Sequence, residues 1–180
     1  AVVSVVARVR DDDLDRPTPC AGWDLRTLLA HMVGQDRGFA AAALADVPAE
    51  AFQPGEVEAH AAAAEAVVAA FAAASPERKV LLPEFGARFA LETVVGFHLL
   101  DTLVHGWDVA VSLGGNVWYD DDLVAAALEL AEAIPGGDMR TAPGSPFAPI
   151  RDEATSATGW ARTLALLGRD PRWMAPVAIG

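Results

Sequence analysis

With 180 residues, of which 53% are hydrophobic and 21% charged, the chain is too apolar to be disordered, and we expect one domain over residues 1–180. Its 25 acidic and 13 basic residues give a net charge of −12 and a pI near 4.5, which repels phosphate backbones and argues against a nucleic-acid partner. Because no apolar run reaches the roughly 18 residues of a membrane helix, and because the single cysteine, Cys20, has no disulfide partner in the chain, we expect a cytoplasmic protein without a membrane partner.

Apolar residues recur at helical spacing through most of the chain, between loops rich in Pro and Gly. The predicted helices cover Ala1–Arg10 (the end of a buried helix), about Leu25–Leu44, Val57 to just before Pro76, about Leu91–Leu113, about Asp121–Ile134 and about Thr155–Leu167. Asp24 is the predicted N-cap of the second helix, Lys79–Leu82 a short extended piece, and Pro135–Pro149 a loop. This order predicts an all-α fold, most simply a four-helix bundle with additional short helices.

The fourth predicted helix carries His98, Asp101 and His105 on one face. At about 100° per residue, Asp101 and His105 are about 40° apart around the helix axis, and His98 and Asp101 about 60° apart. A carboxylate and an imidazole at positions i and i+4 are a common way for one helix to give two ligands to a divalent metal. The same spacing also suits a surface acid–histidine pair, so the residues alone leave both interpretations open.

His31 is the candidate third ligand, because it lies in the middle of the second predicted helix at the border of its apolar stripe. Gly34 and Gly38 follow it on the same face. Glycine inside a helix costs about 1 kcal/mol relative to alanine, so these positions indicate either space kept for a ligand or the close approach of two helices. The spacing does not choose between them, and a histidine in mid-helix can equally be a hydrogen-bonded core residue.

Three segments of the sequence resemble a known family. They are PTPCAGWD at 17–24 followed by His31, DTLVHGWD at 101–108, and LGRDPRW at 167–173. Together they resemble the DinB-like metal-binding proteins of the mycothiol-dependent maleylpyruvate isomerase type. The resemblance implies a four-helix bundle that holds a divalent ion through His31, Asp101 and His105. The isomerase itself has Glu where Asp101 stands, and the shorter carboxylate can still act as a ligand.

Two imidazoles and one carboxylate leave open coordination positions on a divalent ion. We expect Zn²⁺, with Ni²⁺ or Fe²⁺ as alternatives. Such an ion can lower the pKa of water or hold a thiol as its thiolate, so the ligand set suits both hydrolysis and thiol transfer. The resemblance favours the thiol: it implies a metal-dependent mycothiol S-transferase or thiol-assisted isomerase acting on a small electrophile. A metal-dependent hydrolase and a non-enzymatic binding module are the alternatives, and a homodimer is left open.

Further residues in and around these segments have candidate roles of their own. His98 is the candidate catalytic residue, as a general base or a hydrogen-bond donor to substrate; it could instead be a fourth metal ligand or a hydrogen-bonded boundary residue. We expect Cys20 to be a small packing residue rather than a nucleophile, and Trp23 to be a packing anchor. Asp108 is expected to be a solvated acid, with orientation of a metal ligand as the alternative. His60 is a weak candidate ligand.

Overall fold

The computed structural model describes residues 1–141 and 147–176, and the chain is mostly helical. In chain order, the helices and strands are α1 Val2–Val6, α2 Leu25–Leu44, α3 His60–Ala73, β1 Lys79–Leu82, β2 Ala87–Ala90, α4 Leu91–Ser112, α5 Asp121–Ala133 and α6 Gly159–Leu166. The helical content agrees with the predicted all-α class. Among the helices that the structure describes, none is long and apolar enough to cross a membrane.

The two strands form a small antiparallel hairpin directly before α4. The extended piece predicted at Lys79–Leu82 is confirmed as β1, whereas its partner β2 was not predicted. Residues 83–86 connect the strands, and Gly86 adopts a φ of +58°, a left-handed conformation that favours glycine. Lys79 pairs with Ala90, so the hairpin delivers the chain to the start of α4.

The helix boundaries differ from the predicted ones at both ends of the chain. The first helix ends at Val6 rather than near Arg10. The last begins at Gly159, because a separate 3₁₀ turn occupies Asp152–Thr155. The predicted loop Pro135–Pro149 includes residues 142–146, which lie outside the described residues, and its described part contains a further 3₁₀ turn.

Helix α2 is the central element of the fold. It begins after Asp24, whose side chain accepts a hydrogen bond of 2.8 Å from the Thr27 backbone N–H, so the predicted N-cap is confirmed. The helix packs against both α3 and α4, and α4 also contacts α1 and α5. Leu25, Leu28 and Leu29 are fully buried in a core that α2 shares with α1, α4, α5 and α6. A second apolar core joins the other end of α2 to α3 and the hairpin.

Gly34 and Gly38 allow a 3₁₀ turn at Ala49–Phe52 to lie directly against α2. A Cβ atom at Gly34 would lie 2.5 Å from the backbone oxygen of Gln53, and one at Gly38 would overlap the Phe52 ring. Of the two interpretations of these glycines, the geometry therefore supports close approach, made here by a turn and its following residue rather than by a second helix. The space beside these glycines is filled by residues 52 and 53, so it is not a ligand site.

We expect Gly34→Ala to lower the free energy of unfolding by up to about 2 kcal/mol. The gain of about 1 kcal/mol in helix propensity is outweighed by an overpacking cost of about 1–3 kcal/mol, because backbone atoms of residues 52 and 53 would have to move. Gly96→Ala in α4 is the matched control, since its Cβ would meet only the end of the Leu130 side chain, at 3.0 Å. Urea unfolding of both variants checks this, and a Gly34→Ala protein at least as stable as Gly96→Ala would contradict it.

Candidate metal centre

The side chains of His31, Asp101 and His105 converge between α2 and α4. Asp101 Oδ1 lies 3.3 Å from His105 Nε2 and 3.9 Å from His31 Nε2, and the two imidazole ring centroids are 5.1 Å apart. All three side chains offer ligand atoms that lie within 4.8 Å of one another. We call this group the metal cluster.

The donor atoms of the metal cluster fit a divalent ion. Ligands about 2.0–2.2 Å from a tetrahedral ion lie roughly 3.3–3.6 Å apart, and the Asp101–His105 separation of 3.3 Å is within that range. The Asp101–His31 separation of 3.9 Å is wider. Two imidazole nitrogens and one carboxylate oxygen are also a donor set that borderline metals such as Zn²⁺ prefer. The role of these residues as metal ligands stays a prediction.

Asp108 fixes the orientation of His105. Its carboxylate is fully buried, and Asp108 Oδ2 lies 3.0 Å from His105 Nδ1. Because an ionised carboxylate only accepts hydrogen bonds, Nδ1 must carry the proton and donate it. His105 Nε2 is then the atom left to face Asp101 and a metal. The expectation that Asp108 is a solvated acid was wrong, since α4 turns this residue into the core beside His105.

Arg169, just after α6, supplies the positive charge that Asp108 needs in the core. Arg169 Nη2 lies 3.0 Å from Asp108 Oδ2, and Arg169 Nε lies 3.3 Å from both carboxylate oxygens. Burial raises the pKa of Asp108, but Arg169 and then His105 outweigh this and hold it below its usual value. Arg169 belongs to the C-terminal segment that resembles the family, but no local spacing links it to a residue 61 positions earlier.

The loop before α2 packs against the site through two side chains. Cys20 contacts Asp108 and His105, and Trp23 contacts the two histidine rings of the metal cluster. Cys20 Sγ lies 3.3 Å from Asp108 Oδ2 and 3.9 Å from His105 Nδ1. Cys20, His105 and Asp108 could also be grouped as metal ligands, but Arg169 already occupies the carboxylate and opposes a second cation there. The Trp23 ring stands 4.9 Å from the His31 ring and 6.4 Å from the His105 ring, centroid to centroid. Trp23 therefore covers both imidazoles.

His98 does not join the metal cluster, although it shares a helix face with Asp101. His98 Nε2 lies 2.8 Å from Asp36 Oδ1 of α2, and the Thr102 hydroxyl is 3.5 Å from the same nitrogen. His31 of α2 thus lies beside Asp101 of α4, whereas Asp36, one turn later in α2, lies beside His98, which is earlier in α4. The two helices therefore run antiparallel. The part of His98 in catalysis stays a prediction.

The charged groups of the metal cluster shift one another's pKa values. Burial alone would raise the pKa of Asp101, but His105 and His31 hold it well below its usual range. Burial likewise lowers the pKa of His105, yet Asp101 and, more weakly, Asp108 and Cys20 raise it well above 6.5. A metal ion must therefore displace a proton from His105 to bind.

Glu84, in the turn of the hairpin, is a further acid that sequence reasoning missed. Desolvation raises its pKa, the charge of Asp101 raises it further, and His31 lowers it. The hairpin therefore brings a carboxylate within electrostatic reach of the metal cluster. Its position depends on strand pairing, which the spacing of residues in the sequence does not reveal.

Comparison with known proteins gives one family and two relatives. A family model described as the mycothiol maleylpyruvate isomerase N-terminal domain matches residues 1–110. The uncharacterized proteins MT0763 of Mycobacterium tuberculosis (strain CDC 1551 / Oshkosh) and Rv0738 of Mycobacterium tuberculosis (strain ATCC 25618 / H37Rv) are each 32% identical to the chain over 175 residues. Each match covers 96% of this chain and 93% of the relative. No solved structure gives a significant match.

We expect Asp108→Asn to weaken Zn²⁺ binding by about 10- to 100-fold, the usual effect of removing a carboxylate that orients a histidine ligand. Asp36→Asn is the matched control, because Asp36 is also a buried acid paired with a histidine but lies outside the metal cluster. Competition with a chromophoric chelator measures both affinities, and circular dichroism checks that both variants are folded. Equal affinities for the two variants would show that Asp108 does not position a ligand.

The raised pKa of His105 predicts a pH dependence of stability in the chelator-treated protein. The protonated ring is stabilised on folding, so this contribution is fully present below pH 6.5 and is lost as the pH rises through the higher folded pKa. We therefore expect the stability difference between wild type and His105→Gln to shrink above pH 6.5 in urea unfolding. His60→Gln is the control of opposite sign. Burial lowers the pKa of His60 and Asp36 only partly offsets this, so the His60 contribution falls as the pH drops below 6.5.

Proposed function

Because the chain belongs to the family of the mycothiol maleylpyruvate isomerase N-terminal domain, we propose that it is a metal-dependent enzyme that joins mycothiol to small electrophiles. Within that class, an S-transferase is the main proposal and a thiol-assisted isomerase its variant. A family match over residues 1–110 supports a mycothiol-related, metal-binding function in general.

The observation that carries the proposal is the convergence of His31, Asp101 and His105 beside a cavity. The cavity has a volume of about 600 Å³, and Asp101 forms part of its wall. A divalent ion held by these three residues, Zn²⁺ by preference and Ni²⁺ or Fe²⁺ as alternatives, would supply a Lewis acid that lowers the pKa of a thiol. The cavity then offers room for the electrophile next to the sulfur.

The surrounding residues have separate tasks in this proposal. Asp108, held by Arg169, keeps the proton of His105 on Nδ1, so that Nε2 remains a ligand atom. Trp23 packs against the two imidazoles and limits their movement. His98 lines the same cavity and is paired with Asp36, an arrangement in which a histidine can accept the proton that the thiol loses.

The proposal extends to the architecture and the cellular setting. We propose that α2, α3, α4 and α5 are the four helices of the bundle expected for the family, since α2 contacts α3 and α4 and α4 contacts α5.

Cys20 is a free thiol, which agrees with a reducing cytoplasmic compartment.

We expect the zinc-loaded protein to accelerate conjugation of mycothiol to 1-chloro-2,4-dinitrobenzene, followed by absorbance of the thioether. Asp101→Asn should lower kcat/KM about tenfold or more, because it removes a charged ligand. Asp15→Asn makes the same change of charge on a side chain that is 87% exposed, and it should have no effect. His31→Ala should abolish both zinc binding and turnover.

Two other outcomes would contradict the proposal, and each would favour one of the alternative functions. Rapid ester hydrolysis without any thiol would favour the hydrolase. Zinc binding without turnover of either substrate class, across several metals and thiols, would favour the non-enzymatic binding module.

A further inference from the structure

The walls of the cavity beside Asp101 are mainly apolar. Helices α2, α3 and α4 contribute most of them, and residues at the start of the chain and near the start of α5 complete them. Met32, Val67, Leu103 and Leu123 are among the apolar side chains that face it. A volume of about 600 Å³ is within the range of small-molecule sites, roughly 300–1,000 Å³.

The charged side chains that line this cavity are acidic. Asp36, Glu65 and Asp101 line it, and no Lys or Arg side chain does so among the residues that the structure describes. The Asp36 carboxylate accepts a hydrogen bond of 2.8 Å from His98 Nε2, so Asp36 already has a partner. A substrate carboxylate bound away from the metal cluster would lose its hydration without gaining a Lys or Arg partner among the described lining residues, which is costly.

His60 is a polar side chain of the cavity wall that has no hydrogen-bond partner in the part of the chain that the structure describes. The residue is 4% exposed, and its side chain forms no hydrogen bond within residues 1–141 and 147–176, although its backbone N–H donates to the Val57 carbonyl. Burial favours its neutral form, which has one N–H donor and one acceptor nitrogen. A hydroxyl or carbonyl group of a bound ligand would satisfy it.

From these observations we infer that the cavity binds an uncharged, mainly apolar electrophile whose single hydrogen-bonding group pairs with His60, and that it rejects carboxylated electrophiles. The inference rests on the proposed function, since it takes the metal cluster as the place where the thiol reacts. Asp101 is the cluster residue that lines the cavity, so the reactive end of the substrate lies toward Asp101 and its polar end toward His60.

A set of three epoxides tests this preference: styrene oxide, 4-(hydroxymethyl)styrene oxide and 4-carboxystyrene oxide. In each, the thiol sulfur forms a bond to an epoxide carbon, the C–O bond opens, and the proton of the thiol ends on the new hydroxyl. With the zinc-loaded protein and mycothiol, we expect kcat/KM for the hydroxymethyl compound to exceed that for the carboxylate at least tenfold. A carboxylate that reacts equally well or better would overturn the inference.

Variants of the cavity make the test specific. His60→Ala should lower kcat/KM about tenfold more for the hydroxymethyl compound than for styrene oxide, a difference equal to one hydrogen bond. Val68→Arg places a cation on an exposed side chain of the cavity wall and should raise the relative rate of the carboxylate. Val95→Arg is the matched control, because Val95 is exposed but lies outside the cavity lining. Equal effects of the two arginines would contradict the assignment.

Failure of the proposed function and failure of this inference can be told apart. If no epoxide reacts, the unreactive diols that correspond to the three epoxides are tested for binding to the zinc-loaded protein by calorimetry. Tightest binding of the hydroxymethyl diol, weakened by His60→Ala, would support the cavity assignment even without catalysis. No binding, or preferred binding of the carboxylate, would overturn it.

Discussion

The buried carboxylate of Asp108 is the point at which three distant parts of the chain meet. It receives hydrogen bonds from His105 on its own helix, from Cys20 in the loop before α2, and from Arg169 after α6. An isolated carboxylate in this position would be strongly destabilising, so each contact offsets part of its desolvation. The same contacts set the ring orientation of His105, which means that the stability of the core and the geometry of the metal cluster depend on one group.

The pairing of α2 with α4 has a comparable double effect. Because the helices are antiparallel, one stretch of their interface forms the metal cluster and the next forms the Asp36–His98 pair beside the cavity. The glycines of α2 keep the 3₁₀ turn close against that helix. The relative position of α2 and α4 therefore determines both where a metal could bind and which polar groups a substrate would meet.

Local patterns in the sequence were sufficient for most of the helices and for part of the site. Helical periodicity located α2 and α4, Asp24 marked a helix start, and the i, i+4 spacing of Asp101 and His105 placed both on one face. The ion pair of Arg169 with Asp108 and the hydrogen bond between Asp36 and His98 could not be derived in this way, because each joins residues about 60 positions apart. The burial of Asp108 was missed for the same reason: its partners come from other elements.

The position of Arg169 has a consequence for how members of this family can diverge. The family match ends at residue 110 and so contains the whole metal cluster together with Asp108, yet the counter-charge of Asp108 comes from the segment after α6. The C-terminal segment is thus not free to be exchanged independently of α4. A relative that lacks an arginine there needs a cation from another element or a neutral residue in place of Asp108, so these two positions should change together during evolution.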